Sequence, residues 1–87
     1  MDDNLNKVYV DTATLPYGRM TMCHMASDNL DLLHAMADKI GVKRQWFQNK
    51  SKRPHYDICK AKRKLAIENG AIEVSSRELV SLLCNSF

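Results

Sequence analysis

The chain has 87 residues, 45% of them hydrophobic and 26% charged, a size and composition typical of one globular domain. Its longest apolar run, near residues 79–83, is too short to span a membrane, and the acidic start at residues 1–4 lacks the basic and then apolar pattern of a secretory signal. We therefore expect a cytoplasmic protein in which residues 1–6 are a polar lead and residues 7–87 form a single domain.

The cysteines and the charge distribution further limit the kind of protein that this sequence can encode. Cys23, Cys59 and Cys84 show no CxxC spacing, so neither a disulfide framework nor a zinc knuckle is expected. The net charge is +3, but the charges are unevenly distributed along the chain. Residues 43–64, which we call the basic segment, contain nine Lys and Arg residues and one acidic residue, for a net charge of +8. Such a field attracts anions to one region and predicts an anionic partner, although a solvated lysine-rich helix face is the simpler alternative.

The first third of the chain predicts two strands. An apolar, β-branched run at residues 8–10 indicates a buried strand that ends at Asp11. Residues 12–19 contain a Pro-Tyr-Gly turn signal and are predicted to be loop. Residues 20–26 alternate as a second strand, with His24 on the side of two methionines, a position typical of a core histidine.

The middle of the chain predicts a helix and then a less regular region. Residues 29–40 carry a helical apolar period, with Ser27 and Asp28 as caps before it and Gly41 as the residue that ends it. Residues 42–48 alternate and favour a short strand.

The last third predicts two more helices around a strand. Residues 49–54 form a basic loop, and a helix is expected over residues 58–69 with Asp57 as its cap. A short strand at residues 71–74 is followed by an S-x-x-E capping box at residues 75–78 that begins the last helix. The order β-β-α-(β)-α-β-α predicts an α/β fold with a small mixed, partly parallel sheet of three to four short strands covered by three helices.

Several short motifs occur in order along nearly the whole chain. They are Val8-Tyr9-Val10-Asp11, Gly18-Arg19, Cys23-His24-Met25, Leu33-His34-Ala35-Met36-Ala37, Arg44-x-Trp46-Phe47, His55-Tyr56-Asp57 and Ser75-Ser76-Arg77-Glu78-Leu79. Together these motifs resemble the small bacterial and bacteriophage proteins grouped as domain of unknown function 4031, over about residues 7–83. The resemblance implies a cytosolic prokaryotic or phage protein and attaches no reaction to it.

Four polar residues are candidates for catalysis or for holding a metal. Asp11 follows a strand at the kind of sheet edge where ligand groups gather, although a turn or capping role explains it as well. His55 and Asp57 project to one side of an extended segment and can share a proton or a metal. His34 lies one turn before Asp38 on its helix, and we expect it to lie nearer to His55 than either lies to His24. No HxxxH or CxxC spacing is present, so neither a metal nor another cofactor is predicted.

Cations and aromatic rings of the central region are the candidates for ligand binding. The cations would bind phosphate groups and the rings would stack on bases, although at least one ring is expected to anchor the loop in the core. Arg19 can instead form a salt bridge with Asp11. The set is Arg19, Lys43, Arg44, Trp46, Lys50, Lys52, Arg53, His55 and Tyr56.

The leading hypothesis is a module that binds a phosphate-bearing ligand, either nucleic acid or a nucleotide-like small molecule. The alternative is a small hydrolase or phosphoryl-transfer enzyme that uses His55 or His34 as acid or base and Asp11 and Asp57 as metal ligands or orienting groups. A Cys59 nucleophile beside His55 lacks a third orienting group. A further alternative is an inhibitor that presents the basic segment to an acidic surface of a host protein.

Overall fold

The structure, a computed structural model, describes residues 7–49 and 54–84, without the side chains of Tyr17 and Cys84. Its secondary structure is an open mixed sheet with three helices, as predicted, but the sheet has six strands rather than three to four. The strands are β1 (Val8–Val10), β2 (Leu15–Tyr17), β3 (Met20–Ser27), β4 (Phe47–Gln48), β5 (His55–Cys59) and β6 (Ile72–Glu73).

The eight-residue strand β3 is the centre of the sheet, whose order is β4-β5-β3-β1-β6. β1 and β2 both pair with the same edge of β3: β2 pairs with the first half of β3, and β1 pairs with the second half. β5 pairs with the other side, which sets His24 opposite Asp57. β6 runs parallel to β1, and this pair makes the sheet partly parallel.

Two helices cover one face of the sheet and the third covers part of the other. They are α1 (Leu30–Ile40), α2 (Lys60–Glu68) and α3 (Ser76–Cys84). The larger core lies beneath α1 and α2 and includes Met25, Tyr56 and Ile58. The smaller core lies beneath α3 and includes Tyr9 and Ala26. Because successive side chains of a strand point to opposite faces, His24 and Asp57 lie on the α3 face, beside the part that α3 covers.

The helix ends follow the sequence signals closely. Asn29 caps α1 by accepting a hydrogen bond from the N–H of Leu32 at 3.3 Å, one residue after the caps that we predicted. Gly41 ends α1 in the left-handed conformation, with a φ of 82°. The capping box of α3 is confirmed: Ser75 Oγ accepts from the N–H of Glu78, and Glu78 accepts from the N–H of Ser75.

Three local predictions were wrong. Residues 44–46 form a 3-10 turn, so the strand that we expected over residues 42–48 is reduced to β4. Residues 15–17 form β2 instead of loop. Asp57 caps no helix, because residues 55–59 pair with β3 as a strand and α2 begins only at Lys60. The alternation of buried Tyr56 and Ile58 with partly exposed neighbours has the period of a strand, and pairing with β3 decides the outcome.

No helix within residues 7–49 and 54–84 combines the length and the apolar character that crossing a membrane requires.

Candidate functional site

Asp11 is a buried carboxylate that follows β1 directly and is only 1% exposed. Its main-chain N–H donates to the carbonyl of His24 at 3.0 Å, which extends the pairing of β1 and β3 by one residue. In return, Oδ1 of Asp11 accepts from the N–H of His24 at 2.8 Å and from the N–H of Ala13 at 3.2 Å. The position of the carboxylate is therefore fixed by the backbone of the sheet.

The charge on Asp11 determines the state of the neighbouring imidazole. Burial raises the pKa of the Asp11 carboxyl, but hydrogen bonds from the backbone N–H and the ring of His24 outweigh burial and hold this pKa below its ordinary value. Nδ1 of His24 lies 2.7 Å from Oδ2 of Asp11. A carboxylate only accepts hydrogen bonds, so Nδ1 carries a proton, and Nε2 is the ring nitrogen of His24 that can bind a further group.

The side chains of Asp57 and His55 lie close to Nε2 of His24 on the α3 face of the sheet. Nε2 of His24 lies 3.8 Å from Oδ1 of Asp57, and Nε2 of His55 lies 3.3 Å from the same oxygen. The two imidazole rings are edge to face, with centroids 5.0 Å apart. We call His24, His55 and Asp57 the triad. Its side chains are between 20% and 37% exposed, so the cluster is open to solvent on one side.

Oδ1 of Asp57 is the atom that this arrangement leaves unexplained. It is buried and accepts no hydrogen bond from any described residue, and its 3.3 Å contact with Nε2 of His55 is an ion pair only when that ring is protonated. A buried acceptor without a partner costs about 1–3 kcal/mol. An ion or a protonated group at the centre of the triad would remove this cost.

The triad has the donors and the spacing of a divalent metal site. One donor atom from each residue can be chosen so that all three lie within 4.8 Å of one another. In tetrahedral geometry two ligands that each lie about 2.1 Å from a zinc ion are about 3.4 Å apart, so the donors would have to approach one another by on the order of 1 Å on binding. Two imidazoles and one carboxylate, with the remaining positions open, suit Zn²⁺, Mn²⁺ or Fe²⁺.

Asp11 supplies the outer support that such sites require. A ligating histidine ordinarily donates its second ring N–H to a carboxylate or a carbonyl, which fixes the ring and raises its basicity. Ser76, at the start of α3, donates its hydroxyl to Oδ2 of Asp11 at 3.1 Å. Nε of Arg63 on α2 donates to the carbonyl of Asp11 at 2.8 Å, and the same guanidinium pairs with Glu73 of β6. Asp11 therefore connects the triad to both faces of the sheet.

His34 and Tyr56 lie elsewhere, on the face covered by α1. Nδ1 of His34 and the hydroxyl of Tyr56 are 2.7 Å apart, and Tyr56 is 0% exposed. The ring of Phe47 packs against that of His34 with centroids 4.6 Å apart. No face of Tyr56 is available for stacking on a ligand. The prediction that His34 would be the nearest histidine to His55 was wrong, since His55 contacts His24.

The cations predicted for ligand binding are spread along the surface. Lys43 is exposed, and Arg44 pairs with Asp38 at 2.9 Å in a contact where both side chains are more than half exposed. Arg19 is exposed and does not pair with Asp11, whose carboxylate is surrounded by the partners described above. The remaining three predicted residues, Lys50, Lys52 and Arg53, lie outside the described residues.

Three residues of the site were not identified from the sequence. His24 was interpreted as a core residue because its neighbours in the strand are methionines, and only the pairing with β1 brings it to Asp11. Arg63 and Ser76 carry no signal of their own, since they contact Asp11 across 52 and 65 residues of sequence. The sequence pattern was sufficient to identify two parts of the site, namely Asp11 at the end of a strand and the pair formed by His55 and Asp57.

Fold and site together define a small α/β domain that carries a cluster of two histidines and one carboxylate on an uncovered part of its sheet. The chain belongs to the family described as "Protein of unknown function (DUF4031)", which matches residues 8–86. The resemblance found from the motifs is thereby confirmed. No curated protein and no solved structure matches the chain.

Proposed function

We propose that the domain is a metal-dependent hydrolase of a phosphate ester, with the triad as the metal site. The observation that carries the proposal is the buried Oδ1 of Asp57, which accepts no hydrogen bond from the described residues and lies 3.3 and 3.8 Å from the Nε2 atoms of two histidines. Asp57 acts as a metal ligand and Asp11 as the orienting group. These are the roles that the hydrolase alternative from the sequence gives to the two carboxylates.

The chemistry follows from the open side of the cluster. His24, His55 and Asp57 would hold a divalent ion, and such an ion, when bound, would activate water as a nucleophile at neutral pH. In the overall reaction a bond forms between phosphorus and the water oxygen, the bond from phosphorus to the ester oxygen breaks, and the released alcohol takes up a proton. The protein contributes the fixed donors: Asp11 keeps the proton of His24 on Nδ1, so that Nε2 is free to bind.

Titration of the protein with metal tests the proposal directly. After treatment with a chelator, Zn²⁺ and Mn²⁺ are titrated calorimetrically into the wild type and into His24→Ala, His55→Ala and Asp57→Ala. We expect one site per chain in the wild type and at least about 100-fold weaker binding in each variant, because each removes one of three ligands. Hydrolysis of p-nitrophenyl phosphate is then compared with and without the ion.

Two controls make the result specific. Cys59→Ser shows whether Zn²⁺ binds to the thiol that shares the strand β5 with His55 and Asp57. Lys39→Ala, an exposed change on α1, shows the effect of an unrelated substitution. Stoichiometric binding that survives Asp57→Ala would refute the site, and metal binding without any hydrolysis would reduce the proposal to a metal-binding module.

A second candidate function is the binding of nucleic acid or another anionic partner by the basic segment without chemistry. It is favoured by the exposed Lys43, Lys60 and Lys64 within residues 43–64. An acidic surface of a host protein is a partner of the same kind. A bacterial or phage origin and a place in the cytoplasm, or in the host cytoplasm for a phage protein, complete the proposal and rest on the family resemblance and on composition.

A further inference from the structure

A groove of about 680 Å³ lies next to the triad, at the end of the sheet where β3 begins and β5 ends. Asp57 lines it, so the groove and the proposed metal site share a residue. β4 pairs only with residues 55 and 56 of β5, which leaves the rest of that edge open to the groove. Its wall includes Leu15, Met20, Lys43, Trp46, Asp57 and Lys62.

The apolar part of the groove is a surface that the fold leaves exposed. Trp46, Met20 and Leu15 are 53%, 48% and 43% exposed, although burial of such side chains is ordinarily favourable. The adjacent ring of Phe47 packs instead against His34 and Tyr56 in the core. The 3-10 turn at residues 44–46 is thus anchored by Phe47, while the indole of Trp46 stays at the mouth of the groove.

Cationic groups frame the same groove. Lys43 is exposed at the turn, and Lys62 reaches the groove from α2. The ammonium of Lys62 lies against Gly41, where a Cβ atom would be only 3.1 Å from Nζ. The missing side chain at Gly41 therefore gives the ammonium its place beside the C-terminal end of α1, whose partial negative charge holds it there.

We propose that the groove binds the base and sugar of a nucleoside monophosphate whose phosphate reaches the triad. This inference deepens the proposed function by naming the substrate class. Trp46 stacks on the base, as exposed aromatic rings do with any base, and Lys43 and Lys62 give the groove a positive charge that attracts an anionic ligand. The volume lies within the range of about 300–1,000 Å³ that small-molecule sites occupy, which favours a mononucleotide over a long strand.

The emission of Trp46 reports on this contact, because it is the single tryptophan of the chain. Adenosine monophosphate is titrated into the zinc-loaded protein while tryptophan fluorescence is followed. We expect saturable quenching. Ribose 5-phosphate, which has the phosphate and no base, is expected to leave the emission unchanged, and adenosine, which has no phosphate, is expected to quench only at higher concentrations.

Calorimetry with variants completes the test. We expect Trp46→Ala to bind adenosine monophosphate about 5- to 150-fold more weakly, since stacking on an aromatic side chain contributes about 1–3 kcal/mol per base. Lys62→Ala is expected to weaken binding as well, whereas its matched control Lys39→Ala is not. Val80→Ala, an exposed apolar change on α3, is the control for Trp46→Ala. Zinc affinity should be unchanged in all four variants.

The outcomes separate this inference from the proposed function. Zinc binding without quenching by adenosine monophosphate, or undiminished nucleotide binding by Trp46→Ala, overturns the nucleotide groove and leaves the metal site standing. Quenching by adenosine monophosphate in a protein that binds no zinc supports the groove and removes the hydrolase. Equal quenching by ribose 5-phosphate also overturns the inference, because the base then makes no contact with Trp46.

Discussion

Replacing Asp11 by Asn changes one atom of the network and reverses its hydrogen-bond polarity. The carboxylate accepts hydrogen bonds from two backbone N–H groups, from Nδ1 of His24 and from the hydroxyl of Ser76. In Asp11→Asn the amide oxygen keeps the two backbone bonds, while the NH₂ group faces His24 and Ser76. The serine hydroxyl can turn and accept, but His24 must then present an unprotonated Nδ1 and carry its proton on Nε2.

The magnitude follows from the four bonds that lose a charged acceptor, an effect that is partly offset because a neutral amide costs less to bury than a carboxylate. A hydrogen bond to a charged group contributes about 1.5–3 kcal/mol and a neutral one about 0.5–1.5 kcal/mol, so Asp11→Asn should lower the free energy of unfolding by about 2 kcal/mol. For a domain of this size that corresponds to roughly 8–16 °C in Tm. Zinc affinity should fall by about 10- to 100-fold, because the proton on Nε2 competes with the metal.

The pH dependence of the free energy of unfolding is a second measurement that tests Asp11→Asn. The pKa of Asp11 is lowered in the folded state, so its contribution to stability is present above the unfolded pKa of about 3.9 and is lost as the pH falls through the folded value. Urea unfolding of the wild type and of Asp11→Asn should therefore converge on acidification below about pH 4. Asp38 and Glu78, whose pKa values are also lowered, contribute equally to both proteins and cancel in the difference.

The matched control is Asp31→Asn, an exposed carboxylate on α1. If Asp11→Asn kept both the Tm and the zinc affinity of the wild type, the orienting role of Asp11 would be refuted. Loss of stability with unchanged zinc affinity would make Asp11 a purely structural residue.

Three other changes probe the sheet faces and the basic segment. Asp57→Ala removes no helix cap and removes the buried acceptor Oδ1, whose burial costs about 1–3 kcal/mol, so in urea titrations of metal-free protein we expect the free energy of unfolding to stay constant or to rise by up to about that amount. A loss above about 1 kcal/mol would contradict this interpretation. Tyr56→Phe removes the hydroxyl bonded to His34 and should cost about 0.5–1.5 kcal/mol while zinc affinity stays constant, because the pair lies on the opposite face of the sheet. If residues 43–64 bind single-stranded nucleic acid, affinity measured by fluorescence anisotropy should fall by about 0.7 log units per phosphate contact for each tenfold rise in salt, and a flat response excludes that mode.

Local pattern was sufficient for the parts of the fold that depend on neighbours in sequence. The helical period and the left-handed Gly41 determine the end of α1, and the box formed by Ser75 and Glu78 determines the start of α3. Both signals act within one turn of helix and need no tertiary context. The same reasoning failed at Asp57, because a capping residue and an alternating strand residue look alike until the partner strand is known.

The candidate site required information that no local pattern contains. Asp11 and His24 belong to adjacent strands, and their contact depends on a register that joins residue 11 to residue 24. His24 meets Asp57 through a second register on the other side of β3. A shift of either register by one residue would move His24 to the opposite face, so the site exists only when the whole sheet is correctly paired.

The way Asp11 is held explains why so small a domain can keep a precise cluster on a partly open face. Domains of this size bury a modest fraction of their surface. A cluster held only by neighbouring side chains would therefore have few contacts that fix the orientation of its residues. Asp11 is instead bonded to β3 through the backbone of His24, to α2 through Arg63 and to α3 through Ser76. The bonds to β3 and α3 are made by the carboxylate and the bond to α2 by the main-chain carbonyl, so three layers of the fold are joined to one residue. The orientation of His24 is therefore coupled to the packing of both cores, and a metal bound by the triad would stabilise the folded chain as a whole.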